Sequence, residues 1–533
     1  MYTTIIIGGG PAALQLGYFL NKINESYIIL ERNEICGSFF EKYPHSNGLI
    51  SINKIHTGKT DKEFNLRHDW NSLLNEHALE MKAYSEKYYP NRQSLVKYLN
   101  DFKEHHEIKV KYNTEVINVT KNDQDVFEIF TSNGDVLLCK KLVVATGLSK
   151  PNLPSNIINI EKYAKHYSEF GKDFFLKDKN LKKYKNKRIL ILGNGNSAFE
   201  LGNILNEVCA SVRILGRYRT PKLAFSTHYA GDVRSVYLPY YDTFFLKSLN
   251  SIDFLRDEVY KLKHEKKKYY LIQNCPCECN VYEDEAFDEI LNCTGWRMDT
   301  DMFSSQLQPQ MDCSGKYPML FSNYESYNID NMFFIGSLMH SSDNKKSSGG
   351  FIHGFRYLIE SFVRMNYTAF EYNKLETCDQ VVETFMHRIN VSSALYQMFG
   401  VLCDIFFKHE SSFFHVEQVP LQYLLSNLNT KLNIPNTVVF IVTLEFNPVY
   451  ETNLQKIGDK PTSIGRESNA QLLHPVVRIF DNKSKDMQGL SLQRLDLECD
   501  DIVHFDEHLT ADFTNDKKYK NKFMRLIKSY GLD

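Results

Sequence analysis

The chain has 533 residues, more than one compact core accommodates, so two or three domains are expected. Lys and Arg (63) nearly cancel Asp and Glu (65), which argues against a nucleic-acid partner or an anionic-membrane partner. Hydrophobic residues at 43% and charged residues at 24% exclude a disordered chain.

Met1 runs into Thr4-Ile5-Ile6-Ile7 with no basic region or cleavage site, so this stretch reads as a strand and no leader is expected. No apolar run reaches the roughly eighteen residues needed to span a bilayer. The eleven cysteines are scattered and odd in number, which fits reduced thiols and a cytoplasmic location. A homo-oligomer is left open.

Ile5–Ile7, Tyr27–Leu30 and Leu142–Ala145 are apolar enough to be buried parallel strands of a doubly wound sheet. Between the first two lies Gly8-Gly9-Gly10-Pro11-Ala12-Ala13, a G-x-G-x-x-A turn that opens a helix. Its first glycine permits the tight turn, its second lets the backbone approach a pyrophosphate, and the helix N-terminus faces the phosphate charge. Glu31 follows the next strand, where an acid accepts hydrogen bonds from ribose hydroxyls.

Lys177 to Arg188 reads as a solvated basic linker leading into the strand Ile189–Leu192. A second loop, Gly193-Asn194-Gly195-Asn196-Ser197-Ala198, repeats the strand-turn-helix pattern. After Ser211–Leu215 come Arg217 and Arg219, with Lys222 nearby; cations there suit a 2′-phosphate and favour NADPH over NADH. Met332–Ile335 reads as a further strand, and Gly349–Tyr357 opens a helix. Beyond about residue 370, Leu395–Phe407 reads as helix and Val438–Phe446 as a buried strand, which predicts a separate α+β region.

Several segments resemble the flavin-containing monooxygenase superfamily, and within it the FAD-dependent oxidoreductase domain-containing proteins of the endoplasmic reticulum and their bacterial relatives. They are Leu49-Ile50-Ser51-Ile52-Asn53-Lys54, Glu63 to Leu74, Ala145-Thr146-Gly147, Leu291 to Trp296, and Gly349 to Tyr357. Phe414-His415-Val416-Glu417 and Leu473-His474-Pro475-Val476 extend the likeness more loosely into the C-terminal region. The resemblance implies an α/β fold with two Rossmann-like domains, the NADPH domain inserted in the FAD domain. The boundaries expected are 1–155 with 296–368 for FAD, 180–295 for NADPH and 369–533 for the α+β region. The candidate FAD contacts are Gly8, Gly10, Pro11, Ala12, Glu31, Arg32, Ser38, Phe39, Asn53, Val116, Ala145, Thr146, Gly147, Gly295, Trp296, Gly336 and Phe351. The candidate NADPH contacts are Gly193, Asn194, Gly195, Asn196, Ser197, Arg217 and Arg219.

The resemblance further implies that NADPH reduces FAD, that O₂ adds at the flavin C4a to give a hydroperoxide, and that a small amine or amino acid is N-hydroxylated. Asn53 is then expected near the flavin N5. Arg67 is expected to pair with a substrate carboxylate through its fork, and His68 or His353 to relay a proton. Two features depart from the superfamily. Ile157-Ile158-Asn159 stands where F-x-G-x-x-x-H is expected, with His166 too far along, and Ser337 stands where many flavin reductases have Asp. An NADPH-dependent flavin reductase or oxidase without oxygenation, or a flavoprotein working through a protein partner, are the alternatives. No metal site is expected: Cys275-Pro276-Cys277-Glu278-Cys279 lacks the paired spacing of a tetrahedral site. A thiol-disulfide reductase would want a C-x-x-C, which the sequence lacks, and Cys36 reads as packing.

Overall fold

The computed structural model describes residues 1–41, 48–77, 79–216, 221–247, 252–254, 260–273, 285–343, 346–427, 431–435, 437–446, 472–481, 499–505, 512–513 and 517–530. Arg217, Arg219 and the Cys275–Cys279 segment lie outside them.

The first sheet grows around Tyr2–Ile7, whose isoleucines are buried on both faces. It pairs in parallel with Tyr27–Leu30 on one side and Val136–Val144 on the other. The nine-residue strand Val136–Val144 serves two neighbours on its far edge. Its first half pairs antiparallel with Phe127–Thr131, and its second half pairs parallel with Met332–Phe334. Val110–Lys111 and Val116–Lys121 complete a seven-stranded sheet. The helices Pro11–Lys22 and Ile352–Asn366 pack together on one face.

From this sheet the chain leaves along Leu148–Pro151 and returns along Trp296–Met298, and these two strands pair antiparallel as a ribbon. Everything between them forms an inserted unit. Its sheet is five-stranded, in the order Ile252–Phe254, Ser211–Gly216, Arg188–Leu192, Glu289–Asn292, Lys165–His166, and wholly parallel. The two central strands are buried over almost their whole length, which is why both read as continuous apolar runs. The basic stretch ahead of them is not plain linker: short helical turns at Asp178–Leu181 and Lys182–Tyr184 keep the lysines largely in water while Phe175 and Tyr184 enter the core.

The C-terminal region carries a six-stranded antiparallel sheet in the order Asn373–Leu375, Ser412–Pro420, Leu402–His409, Val438–Glu445, His474–Asp481, Asp501–His504. The helices Cys378–Val391 and Lys517–Ser529 pack together, with Phe385 stacked on Phe523 at 3.8 Å between ring centroids. The expected helix over Leu395–Phe407 is corrected. Helix spans only Ser393–Gln397, Gly400 takes a left-handed φ of +67°, and Leu402 onward is a strand. That strand is covered on both faces, so its apolar run carries no two-residue alternation to distinguish it from a buried helix. The region also shares one continuous apolar core with the first sheet's helices, through Ile352–Asn366. No helix among the described residues is long and apolar enough to cross a membrane.

Candidate functional site

The strand-turn-helix at Tyr2–Lys22 builds the floor of a cavity of about 710 Å³. Gly8 turns with φ +100°, and a Cβ there would lie 3.0 Å from the Ala145 carbonyl oxygen. Gly10 has nothing within 4 Å of an added Cβ, so the second glycine faces open space. Pro11 at the helix start has no N–H to waste, and its fixed φ suits the first turn. Glu31, buried at the end of the second strand, accepts from the Gly9 N–H (2.7 Å) and from the backbone and side chain of Asn33 (2.9 and 2.7 Å). It therefore braces the loop from below as well as presenting a carboxylate at the rim. Glu31→Gln should lower FAD affinity about tenfold or more, read by flavin retained after dialysis, because charge-assisted hydrogen bonds contribute about 1.5–3 kcal/mol each.

The remaining wall comes from segments distant in sequence. Arg32, Ser38, Phe39, Val116, Ala145, Thr146, Gly147, Trp296, Gly336 and Phe351 all line it, as do Ser337, Phe355 and Asn71. The Thr146 hydroxyl and the Asn71 Oδ1 are buried there without a hydrogen-bond partner among the described residues. An open glycine cradle, a carboxylate at the ribose position and buried polar atoms awaiting partners fit FAD.

In the inserted unit the second loop repeats the first. Gly193 has φ +102°, and its N–H donates to the Leu215 carbonyl as Gly8 donates to Leu30. Gly195, like Gly10, has nothing within 4 Å of an added Cβ. Asn194 packs its side chain against Gly216, where a Cβ would lie 1.9 Å from it. Asn196 holds a neighbouring loop: its side chain donates to the Gly231 and Asp232 carbonyls and accepts from the Arg234 N–H. Ser197 sits in the first turn of the helix Asn196–Leu205. The Gly295 carbonyl, at the return of the ribbon, accepts from His166 Nε2 at 3.1 Å, so His166 reaches the ribbon despite its shifted position in sequence.

Three expected catalytic residues are placed off the cavity wall. Asn53 is buried with its amide donating 2.7 Å to the Ser85 carbonyl, which makes it a bracket for the 85–88 segment. Arg67 is 2% exposed and spends its guanidinium on the carbonyls of Ser392 (3.1 Å) and Ile389 (3.0 Å), so its fork is closed to a carboxylate. His68 lies between Phe64 and Tyr396, with burial, then the Arg67 charge, lowering its pKa. The signature segment does reach the cavity, through Asn71. Arg356, fully buried, fixes that segment by donating to the Asp69 and Ser72 carbonyls (3.0 and 2.7 Å) and to Leu66 (2.7 Å). Neither Asn71 nor Arg356 is singled out by the sequence, although both lie in the segments that carry the resemblance.

Residues 5–336 match the family described as pyridine nucleotide-disulphide oxidoreductase. The FAD-dependent oxidoreductase domain-containing protein 2 of Mus musculus is 33% identical over 514 residues, covering 89% of this chain and 75% of that protein. A solved flavin-containing monooxygenase from Stenotrophomonas maltophilia superposes with a TM-score of 0.52 at 18% identity, covering 68% of this chain and 97% of that one. The ornithine N-hydroxylase of Kutzneria sp. 744 gives 0.50 at 14% identity, covering 68% and 99%.

Proposed function

The chain belongs to the pyridine nucleotide-disulphide oxidoreductase family as a flavin-dependent oxidoreductase with FAD and NADPH as cofactors, and from that premise we propose that it is an O₂-dependent monooxygenase N-hydroxylating a small amine or amino acid. The observation that carries this reading is the wall around Asn71. Leu49, Phe351, Ile352 and Phe355 are apolar members of the lining, and the Asn71 Oδ1 is a buried amide acceptor there with no partner among the described residues. Apolar side chains beside an open amide acceptor suit a reaction in which water must be kept from an oxygen-activating cofactor.

Bound FAD would supply the activation of O₂, with NADPH as its reductant. The chain's own contribution is orientation and exclusion. The Gly8 loop and Glu31 would hold the ADP portion, the Gly193 loop would hold the NADPH pyrophosphate, and Asn71 Oδ1 would accept from an N–H at the reacting end. Thiol-disulfide exchange, which the family description also covers, is less well supported: Cys36 is buried, its thiol pushed up to about 11 by burial, and it has no C-x-x-C partner. The reading keeps a cytoplasmic location, which the free thiols of the described residues suit.

The test is NADPH oxidation against amines and amino acids, scored by product mass and by peroxide. A hydroxylated product matching NADPH consumed is expected from at least one of them. Asn71→Leu, which also removes the 3.0 Å bond from Asn71 Nδ2 to the Ile52 carbonyl, should retain FAD and its rate of reduction while product per NADPH falls about tenfold, since the oriented acceptor is lost. Peroxide equal to NADPH with every compound would favour the reductase or oxidase alternative.

A further inference from the structure

Beside the Asn71 wall, three planar groups from distant parts of the sequence are brought together. The His353 ring stacks on the Trp70 indole with centroids 4.2 Å apart and planes 16° from parallel. The Arg234 guanidinium, carried by the inserted unit, lies over the same indole with its Cζ 4.8 Å from the centroid. Each carries N–H groups that find no acceptor. Trp70 Nε1 and both ring nitrogens of His353 are buried without a hydrogen-bond partner among the described residues, and His353 is 1% exposed. Arg234 forms no ion pair or side-chain hydrogen bond among the described residues; its neighbours are Trp70 and the tyrosines Tyr88, Tyr89 and Tyr237.

Donors without acceptors around one indole ask for an anion, and a guanidinium offers a carboxylate two parallel hydrogen bonds. Burial, then the charges of Arg356 and Arg234, keeps His353 neutral, so its ring supplies one N–H and one acceptor. Asn71, next in sequence to Trp70, adds a second acceptor on the cavity side. A cluster of one guanidinium, one neutral indole donor and neutral acceptors matches a molecule that carries both a carboxylate and an amine.

We propose that Arg234, Trp70, His353 and Asn71 form the substrate pocket, taking a small amino acid with its carboxylate on Arg234 and Trp70 and its amine toward Asn71 and His353. The pocket rests on the N-hydroxylase reading for its reaction but not for its ligand. It is built across the two units, so the carboxylate bridges the inserted domain to the FAD domain. Arg234 thereby takes the role that Arg67, closed by Ser392 and Ile389, does not.

Binding is measured on the oxidised FAD enzyme by flavin absorbance change, so that no turnover is needed. The probes are two matched pairs differing only in the carboxylate: glycine with methylamine, and L-ornithine with 1,4-diaminobutane. In each pair the amino acid should bind about tenfold or more tightly than its amine. Arg234→Met should bring that ratio to about one with NADP⁺ affinity changed less than about twofold, and Arg234→Lys should keep part of it. Equal binding of acid and amine by the wild type, or no binding of either acid at millimolar concentration, would overturn the pocket. So would Arg234→Met weakening NADP⁺ instead, which would assign the guanidinium to the dinucleotide. Failure of N-hydroxylation alone would show as peroxide production with the acid-over-amine ratio intact.

Discussion

Replacing Gly193 with alanine is expected to leave FAD bound and to slow its reduction by NADPH about a hundredfold or more. The φ of +102° is a conformation that L side chains rarely adopt, and holding a residue there costs about 1–3 kcal/mol. The steric term is larger. The added Cβ would lie 2.4 Å from the Cys293 carbonyl oxygen and 2.8 Å from its carbon, both backbone atoms. Cys293 is itself tied by its N–H to the Leu192 carbonyl at 2.7 Å, so relief means splaying the ends of two central strands. A displacement of about 1 Å at the dinucleotide loop is enough for a loss of that size. Gly195→Ala is the sharper control, because a Cβ there meets nothing within 4 Å and should leave the fold intact. Loss of reduction in both variants, with flavin absorbance per protein unchanged, locates the pyrophosphate at this turn. Wild-type flavin bleaching by Gly193→Ala in stopped flow would remove the second loop from hydride delivery.

These two loops were legible in the sequence because everything they need is local: an apolar strand, two glycines at fixed spacing and a helix start. The structure adds that Gly8 and Gly193 share nearly the same φ and the same hydrogen bond to the next strand. The fold class and the insertion were legible for the same reason, repeated twice along the chain. What was not legible depends on contacts between distant residues. Asn53 and Asn71 lie on the same stretch of chain and both donate their side-chain amides to backbone, Asn53 to Ser85 and Asn71 to Ile52, but only Asn71 lines the cavity, with its Oδ1 unpartnered among the described residues. Arg67, Arg356 and Arg234 are equally good forks on paper. Two of them are closed by carbonyls found in folding, from 284 to 325 residues distant, and the third has no side-chain hydrogen bond among the described residues. Leu402–Phe407 failed for a different reason: a strand covered on both faces has no period to read, and Gly400 was the local sign of the break.

Asp404→Asn is expected to destabilise the C-terminal sheet by about 3–5 kcal/mol, the usual cost of removing one member of a buried ion pair. Asp404 is fully buried and takes Arg388 Nε at 2.6 Å and Nη2 at 3.3 Å, His415 Nε2 at 3.1 Å and the Gln418 N–H at 3.0 Å. Arg388 also meets Glu63 at 3.2 Å and Glu417 at 3.0 Å, so the signature segment near residue 63 and the 414–417 segment join in one charge cluster. Burial pushes the Asp404 carboxyl up, but Arg388 and His415 outweigh it and hold it well below the usual carboxylate range. A second carboxylate behaves alike: against the same penalty of burial, Arg478 and Thr443 hold Glu445 down to about 2. Both are charged and stabilising above the unfolded-state value near 4, and both lose that contribution as pH falls through their folded values. The shift at Glu445 corresponds to on the order of 3 kcal/mol at neutral pH. Urea unfolding should therefore lose midpoint below about pH 4.5 in the wild type, and Asp404→Asn should show a smaller further loss there because its share is already gone. The exposed pair Lys97–Asp101 serves as the comparison, where Asp101→Asn should cost about 1 kcal/mol or less. The flavin should report the same event. Ile352 and Phe355 line the FAD cavity from the helix that shares its core with this sheet. Acid or Asp404→Asn should then release FAD in step with sheet unfolding, and a sheet that melts while flavin stays bound would uncouple the two.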